Sequence, residues 1–265
     1  MNKILYAFFV ILIFSSCSEF QSALKTEDIA TKFSVGEKLY EKGKYEKAIR
    51  LFEQLTPVFR GKPQAEKMFY LYSQSLYKSN QFYLAGYQFD SFNALYPKSE
   101  KAQEAAFLAA KSYSKLSPVY SLDQVDTDKA ITKLQSFINT YPKSEFLPEA
   151  NILVKELREK LEKKAFETAK QYNTISDFKP AIKALDNFIS DYPGTPYKEK
   201  ALFYKLNASY QLAINSIQTK KEERLNSAKT AYESLIKFSP NTEFKDTADK
   251  MLVRIDTDLQ QFQIK

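Results

Sequence analysis

The chain has 265 residues, enough to bury a core in one or two domains, and it contains no His, one Cys and five Gly. These counts exclude catalytic triads, imidazole or thiolate zinc sites, internal disulfides and Gly-rich phosphate loops, so little of the usual catalytic repertoire remains. The net charge of +7 is spread over interspersed charges with only five Arg, which is typical of solvated helix surfaces and not of nucleic-acid-binding faces.

The N-terminal segment, residues 1–16, has the pattern of a secretory signal peptide. Lys3 precedes an unbroken apolar run, Ile4–Phe14, and two serines then precede Cys17, the only cysteine. The run is too short to span a bilayer, which takes about 20 residues, but it has the length of a signal-peptide core. A buried N-terminal helix with an incidental thiol is the alternative interpretation.

This segment resembles a bacterial lipoprotein signal, which is removed before an invariant cysteine that then carries lipid. The resemblance implies lipidation of Cys17 and membrane attachment through that lipid; no other cofactor and no metal is expected. Phe14 departs from the Leu that usually stands three residues before the cysteine. Ser18 stands where an Asp would retain many lipoproteins at the inner membrane, so the resemblance implies the outer membrane. Residues 17–27 are then expected to form a lipidated tether, at most roughly 35 Å long when extended.

From about residue 28 onward, apolar residues recur at three- and four-residue spacings, which predicts a chain of helices. Five segments superpose when they are aligned on Ala48, Ala85, Ala130, Ala181 and Ala228. Apolar or aromatic residues follow each of these small residues after four and seven positions, and in four segments Pro follows after twelve. A hydroxyl stands two residues beyond each of these prolines, and a second Ala stands six residues beyond the hydroxyl.

Each position in this pattern has a structural reason. Ala allows close helix approach, the next two positions lie on the same helix face, Pro ends the helix, and the hydroxyl caps the following one. The offsets, together with Gly36 and Leu39, resemble the tetratricopeptide repeat. We therefore predict an all-α superhelical solenoid of about five tetratricopeptide-like helix pairs with a C-terminal capping helix. A single domain over 28–265 would contain repeats at about 28–60, 63–97, 99–142, 144–193 and 195–240, and a closing helix at 242–262.

Two features stand out within this array. The first helix of repeat four is predicted to be long, with a core-facing apolar stripe from Ala150 to Tyr172. Residues 117–128 interrupt the helical pattern and predict a long loop, with Thr127 or Asp126 capping the next helix. Such a loop is either a plain connection or functional. A calcium loop would need a Gly at its turn and a closing Glu, which this segment lacks.

Three stretches carry a resemblance to a family: Leu76-Tyr77-Lys78, Ser117-Pro118 with Leu122-Asp123-Gln124, and Leu157-Arg158-Glu159-Lys160-Leu161 continuing to Asp191-Tyr192-Pro193. With the lipoprotein signal and the repeats, they resemble the BamD family, lipoproteins of the outer-membrane β-barrel assembly machine. The resemblance implies a non-enzymatic scaffold, lipid-anchored on the periplasmic face of the outer membrane. Its later repeats would bind the POTRA region of a BamA-like barrel protein, and its earlier repeats would receive unfolded outer-membrane proteins.

The candidate binding residues follow from this interpretation. A solenoid presents a groove, and an aromatic groove suits extended peptides with apolar and aromatic side chains. Tyr70, Tyr77 and Tyr83 are candidates for such a substrate-peptide groove, although tyrosines in repeat helices are also commonly core residues. Asp123 and Gln124 are candidates for a partner-binding loop.

Other functions stay open at this point. The chain could be another periplasmic repeat-scaffold lipoprotein, acting in the coordination of cell-wall synthesis or in glycan uptake. An envelope enzyme that uses only carboxylates would need two convergent acids at a fixed separation, and no sequence feature identifies such a pair. The net positive charge also leaves attraction to anionic membranes or acidic partners open, whereas nucleic acid is not an expected partner.

Overall fold

The structure, a computed structural model, describes residues 19–263, which contain twelve helical segments and no strand. The helices are α1 (19–25), α2 (Ile29–Glu41), α3 (Tyr45–Phe59), α4 (Ala65–Lys78), α5 (Phe82–Leu95), α6 (Ala102–Leu116), α7 (Val125–Thr140), α8 (Leu147–Thr174), α9 (Phe178–Asp191), α10 (Lys198–Ile214), α11 (Gln218–Phe238) and α12 (Lys245–Gln263). Helices α2 to α11 form five successive pairs, and α12 follows them. This arrangement confirms the predicted all-α fold of tetratricopeptide-like helix pairs with a closing helix.

The helices pack mainly on their neighbours in the chain, and the chain divides into two compact units. Unit 1 contains the described residues up to Pro118 together with Asp123–Leu157, and unit 2 contains Val119–Leu122 and the chain from Arg158 onward. The division falls within α8. Because α8 has 28 residues, its first part packs in the core of unit 1 and its second part in the core of unit 2.

The small residues that align the repeats are all fully buried, as the close-approach argument requires. The second Ala of each later repeat is fully buried as well, in the order Ala105, Ala150, Ala201 and Ala248. The larger residues of the pattern fill the space beside them; those with at most 3% of their surface exposed include Phe52, Phe89, Phe92, Leu134, Phe137, Leu185, Phe188 and Leu235. Tyr232 is only partly buried, and its hydroxyl donates a hydrogen bond to Asp249 Oδ1 at 2.7 Å.

The predicted hydroxyl caps stand three residues before α6, α8, α10 and α12 and serve the turn that leads into each helix. In every case the hydroxyl oxygen accepts a hydrogen bond from the backbone N–H two residues later, at 3.0 to 3.3 Å; the four acceptors are Ser99, Ser144, Thr195 and Thr242. The N–H of each of these residues also donates to the carbonyl three residues earlier. The recurrence of this turn geometry explains why the proline and the hydroxyl recur together in the sequence.

Residues 19–25 differ from the predicted extended tether. They form α1, in which Phe20 and Ala23 are buried with 4% and 1% of their surface exposed, and both belong to the core of unit 1. Lys47 Nζ lies 5.3 Å from the centre of the Phe20 ring, and Lys38 Nζ lies 3.2 Å from Glu19 Oε1. A helix of two turns offers too few apolar positions for periodicity to reveal it, so only the packing identifies it.

The apolar stripe of α8 ends earlier than predicted. Ala150, Leu157 and Ala169 are buried as expected, but Tyr172 is exposed over 39% of its surface. Phe166, which lies off the predicted stripe, is the buried aromatic residue of this region and stacks on Tyr197 with ring centres 5.5 Å apart. The stripe shifts because the second part of α8 packs against the helices of unit 2 and not against those of unit 1.

Helix α12 is tied to α11 by a buried carboxylate. Asp258 is 3% exposed, with Lys221 Nζ 2.8 Å from its Oδ2 and Arg254 Nε 2.9 Å from its Oδ1. The ion pair with Lys221 outweighs the opposing effect of burial and holds the pKa of Asp258 below its usual value. The carboxylate therefore stays charged at neutral pH and links the closing helix to the last helix pair.

Phe89→Ala is expected to destabilise the protein by about 3 to 5 kcal/mol, because it removes a fully buried ring and leaves a cavity. Tyr83→Ala on the same helix is the matched control and should change stability by no more than about 0.5 kcal/mol, because Tyr83 is 63% exposed. Urea denaturation followed by circular dichroism measures both changes. Equal destabilisation by the two substitutions would contradict the packing described for α5.

Candidate functional site

Tyr70 lies on α4 and is partly buried over the second helix of its pair. Its ring packs against Phe89 and Phe92, with ring centres 6.3 and 5.6 Å apart, and Gln74 Nε2 donates a hydrogen bond to its hydroxyl at 2.8 Å. Burial, reinforced by the neighbouring Glu104 carboxylate, raises the pKa of Tyr70. The phenol is therefore neutral at any physiological pH and can both donate and accept hydrogen bonds.

Tyr77 lies two turns further along α4. It is the first of a series of polar contacts that crosses the first helices of three successive pairs, α4, α6 and α8. It packs against Phe82 with ring centres 5.6 Å apart and contacts Lys111 of α6, whose Nζ lies 2.7 Å from Glu149 Oε1 of α8. Burial lowers the pKa of Lys111, but the hydrogen bonds with Glu149 and Tyr77 outweigh it and raise the pKa overall. The ammonium group thus stays charged.

We call Tyr70, Tyr77, Glu104, Lys111 and Glu149 the tyrosine row. All five belong to unit 1 and stand on the first helices of successive pairs, α4, α6 and α8. Gln74 links the two sides of the row, because its Nε2 lies 2.8 Å from the Tyr70 hydroxyl and 3.5 Å from Glu104 Oε1. The row combines aromatic rings with paired charges, which suits the recognition of polypeptide.

Tyr83 does not join this row, because it stands on α5, the second helix of its pair. It is exposed, as is Tyr87 one turn later, and Lys129 Nζ of α7 lies 5.9 Å from the Tyr83 ring centre. The same ammonium lies 4.3 Å from the ring of Tyr113, whose hydroxyl donates to Asp90 Oδ2 at 3.2 Å. Tyr70 and Tyr77 thus lie together, whereas Tyr83 belongs to a separate exposed aromatic patch on the second helices.

The loop after α6 is held by its own side chains. Gln124 is buried: its Oε1 accepts a hydrogen bond from the Thr127 hydroxyl at 2.7 Å, and its Nε2 donates to the Asp123 carbonyl at 3.3 Å. The Ser117 hydroxyl lies 2.7 Å from that of Thr127 and closes the loop. Asp123, and not Asp126 or Thr127, accepts from the first helical N–H, that of Val125 at 3.0 Å. Of the two predicted partner-binding residues, only Asp123 is exposed.

Unit 2 contains a cavity that the sequence does not reveal. It has a volume of about 440 Å³ and lies between residues 119–122 and the second part of α8, where Tyr120, Gln171, Tyr172 and Ile175 are among the residues that line it. Lys163 Nζ lies 4.3 Å from the Tyr120 ring centre, and Lys164 Nζ donates to the Leu122 carbonyl at 2.6 Å. The apolar spacing along α8 predicts Tyr172 as a core residue and therefore does not indicate this cavity.

A second cavity of unit 2, about 400 Å³, lies between α9, α10 and α11. Ile182 and Leu212 give it apolar walls, and Lys205 Nζ pairs with Asp186 Oδ1 at 2.6 Å. Arg224 also lines it and is held by one hydrogen bond, from its Nη1 to Ser216 Oγ at 2.6 Å. No carboxylate among the described residues pairs with Arg224, so its charge is available to an acidic group of a partner.

The remaining predicted features concern anchoring and catalysis. Cys17 and the signal segment 1–16 lie outside the described residues, so lipidation stays a prediction. Between residues 19 and 263, no group of three or more His, Cys, Asp or Glu side chains is arranged to hold a metal ion. Over the same range, no helix combines the length and the apolar character that a membrane crossing requires.

Comparison with known proteins identifies the family. Residues 26–225 match the family model YfiO, described as an outer membrane lipoprotein. A curated relative, the outer membrane protein assembly factor BamD of Caulobacter vibrioides, is 22% identical over 183 residues, which cover 69% of this chain and 60% of the relative's length. These matches confirm the resemblance to the BamD family that the sequence motifs indicate.

Solved helical-repeat structures are also similar to this chain, at low structural overlap. The TPR2AB domain of yeast Sti1, in a complex with pHSP90, covers 86% of this chain and 98% of its own at 16% identity, with a TM-score of 0.38. A putative kinesin light chain of Podosopora anserina with TPR-like repeats covers 81% of this chain and 99% of its own at 11% identity, with a TM-score of 0.33. The family match extends over more than half of the sequence, and the chain therefore belongs to the YfiO family of outer membrane lipoproteins.

Proposed function

We propose that this chain is a non-enzymatic, lipid-anchored scaffold on the periplasmic face of the outer membrane that promotes the folding and insertion of β-barrel proteins. The observation that carries the proposal is the YfiO match over residues 26–225, together with the assembly-factor name of the curated relative. The helix pairs support it, because such pairs present extended binding surfaces. The proposed partners are a BamA-like barrel protein, bound through its POTRA region, and unfolded outer-membrane proteins.

Unit 1 is the proposed receptor for unfolded barrel proteins. The tyrosine row supports this assignment, because Tyr70 and Tyr77 present partly buried rings beside the paired charges of Lys111 and Glu149. An extended segment with alternating aromatic and polar residues can place rings against the tyrosines and hydrogen-bond to the charged groups. The exposed patch around Tyr83 offers a second aromatic contact on the same unit.

Tyr77→Ala is expected to weaken the binding of unfolded barrel-protein peptides about tenfold, because aromatic anchors contribute strongly to interfaces. Tyr77→Phe keeps the packing against Phe82 but removes the hydroxyl beside Lys111, so its smaller loss measures the polar contribution. Fluorescence anisotropy with a labelled peptide from a barrel protein gives both affinities. The partner complex should stay intact in both variants, and unchanged peptide affinity in Tyr77→Ala would contradict the assignment.

Unit 2 is the proposed docking site for the POTRA region. Its cavity between α9, α10 and α11 supports this assignment, since Ile182 and Leu212 offer apolar contacts beside the unpaired charge of Arg224. An acidic side chain flanked by apolar residues on the partner would complement this cavity in both charge and polarity. Asp123, exposed in the loop of unit 1, stays a further candidate for partner contact.

Depletion of the protein in its own host tests the proposed function as a whole. The proposal predicts that trimeric and monomeric barrel proteins disappear from the outer membrane while their unfolded forms accumulate in the periplasm. Cell-wall composition and glycan uptake should change only later, as a consequence. A primary loss of glycan uptake or of cell-wall cross-linking, with barrel proteins unaffected, would instead favour the other repeat-scaffold lipoproteins.

A further inference from the structure

Helix α1 connects the proposed lipid anchor to the first repeat and lies outside the residues that match the family model, which begin at 26. Phe20 and Ala23 insert into the core of unit 1, and Ala23, Ala30 and Val35 lie along the surface where α1 meets α2. The helix is therefore part of the folded unit. This packing distinguishes it from a flexible lipoprotein tether.

The direction of α1 fixes where the chain leaves unit 1. Its last residues lead directly into the start of α2, whereas its first residue, Glu19, pairs with Lys38 near the end of α2. The ring of Phe20 lies beneath Lys47, in the first turn of α3. The helix thus runs antiparallel to α2, and the chain emerges beside the turn that joins α2 to α3.

The distance available to the anchor is consequently short. Only two peptide steps separate Cys17 from Glu19, which span at most about 7 Å. An unfolded tether over 17–27 would instead reach roughly 35 Å. Because α1 is docked, a lipid on Cys17 can enter a bilayer only when the turn between α2 and α3 lies close to the membrane surface.

The same end of unit 1 carries lysines that suit anionic headgroups. Lys42 lies in the turn between α2 and α3 and is exposed, with no ion pair among the described residues. The next such turn lies beside it, because Gln81 Nε2 lies 3.3 Å from both carboxylate oxygens of Glu46. Lys78, the last residue of α4 before that neighbouring turn, is likewise exposed and without an ion pair. These ammonium groups can approach phosphate groups of a membrane.

We propose that α1 is a clasp that fixes the lipid-bearing end of the chain to unit 1 and holds the turn between α2 and α3 against an anionic membrane surface. The inference rests on the proposed lipidation of Cys17. It adds a defined orientation, in which the opposite ends of the unit 1 helices face away from the bilayer. Lys62 lies at that opposite end, so it should stand farther from the bilayer than Lys42 by about the 22 Å length of α3. Peptides bound at unit 1 would then be presented at a fixed height above the membrane.

Depth-dependent quenching tests this orientation in the lipidated full chain. Lys42→Cys and Lys62→Cys each introduce one free thiol, because the single natural cysteine is blocked by lipid; both original side chains are exposed. A fluorophore on each thiol is exposed to vesicles of phosphatidylethanolamine and phosphatidylglycerol that carry a nitroxide on some headgroups. We expect several-fold stronger quenching at position 42 than at position 62.

Two variants distinguish the clasp from a lipid anchor that is joined to unit 1 by a flexible tether. Insertion of twelve Gly and Ser residues between Ser18 and Glu19 leaves α1 docked but lengthens the tether, so quenching at position 42 should fall to that at position 62. Phe20→Asp should release α1 from the core of unit 1 and should also lower the quenching at position 42 towards that at position 62. Equal quenching at the two positions in the parent, or no effect of the insertion, would overturn the clasp. Mass spectrometry of the purified protein, if it found no lipid, would instead refute the anchor on which the inference rests.

Discussion

Truncation of the chain after Pro193 is expected to abolish binding of the BamA-like partner. The truncation removes α10, α11 and α12, and with them the cavity that contains Arg224 and Leu212. Every helix of unit 1 remains, so peptide binding at the tyrosine row should persist. A pull-down with the purified POTRA region should show at least a hundredfold loss of affinity, since the whole proposed interface is absent.

A full-length variant is needed beside the truncation, because the truncation also uncovers Leu185 and Phe188, which pack with Ala201 in the intact chain. Arg224→Glu reverses the unpaired charge of the cavity and should weaken partner binding about tenfold or more. Lys237→Glu makes the same charge change at an exposed position of the same helix and should have little effect. Binding of the partner by residues 1–193 at full strength would refute the assignment of unit 2.

Cys17→Ala is expected to move the protein from the membrane fraction to the soluble periplasmic fraction almost completely. Several acyl chains provide stable attachment, and the substitution removes the residue that would carry them. Fractionation after osmotic release measures the redistribution, and labelled palmitate measures the modification itself. The circular dichroism spectrum should not change, because the described helices begin after Cys17. A wild-type chain that takes up no palmitate and still sediments with membranes would contradict the lipidation.

The repeat pattern could be predicted from sequence because its constraints are local. Ala130 and Ala181 must be small wherever two helices approach closely, and Pro142 with Ser144 specifies one turn geometry. Each of these requirements acts over a few residues and recurs in every pair, so the spacing alone carries the information. The order of the helices follows from the same spacing.

The features that sequence reasoning missed depend on contacts between distant residues. Phe20 is buried by its packing against α2 and α3, and a seven-residue helix is too short for its sequence pattern to predict that packing. Tyr172 leaves the core because α8 changes partners along its length. Gln124 turns inward because Thr127 and Asp123 offer it hydrogen bonds. For the candidate site, sequence predicts one groove lined by Tyr70, Tyr77 and Tyr83, whereas the structure places the first two on α4 and Tyr83 on α5.

Identification of the envelope protein that co-purifies with the full-length, lipidated chain tests the central proposal most directly. The chain would be isolated from host membranes after cross-linking, with the Arg224→Glu variant as a matched control that shares its fold and anchor. The proposal predicts a BamA-like barrel protein with a POTRA region as the main partner, strongly reduced in the variant. Recovery of a cell-wall synthase or a glycan transporter in its place, at equal levels with both proteins, would contradict the proposal.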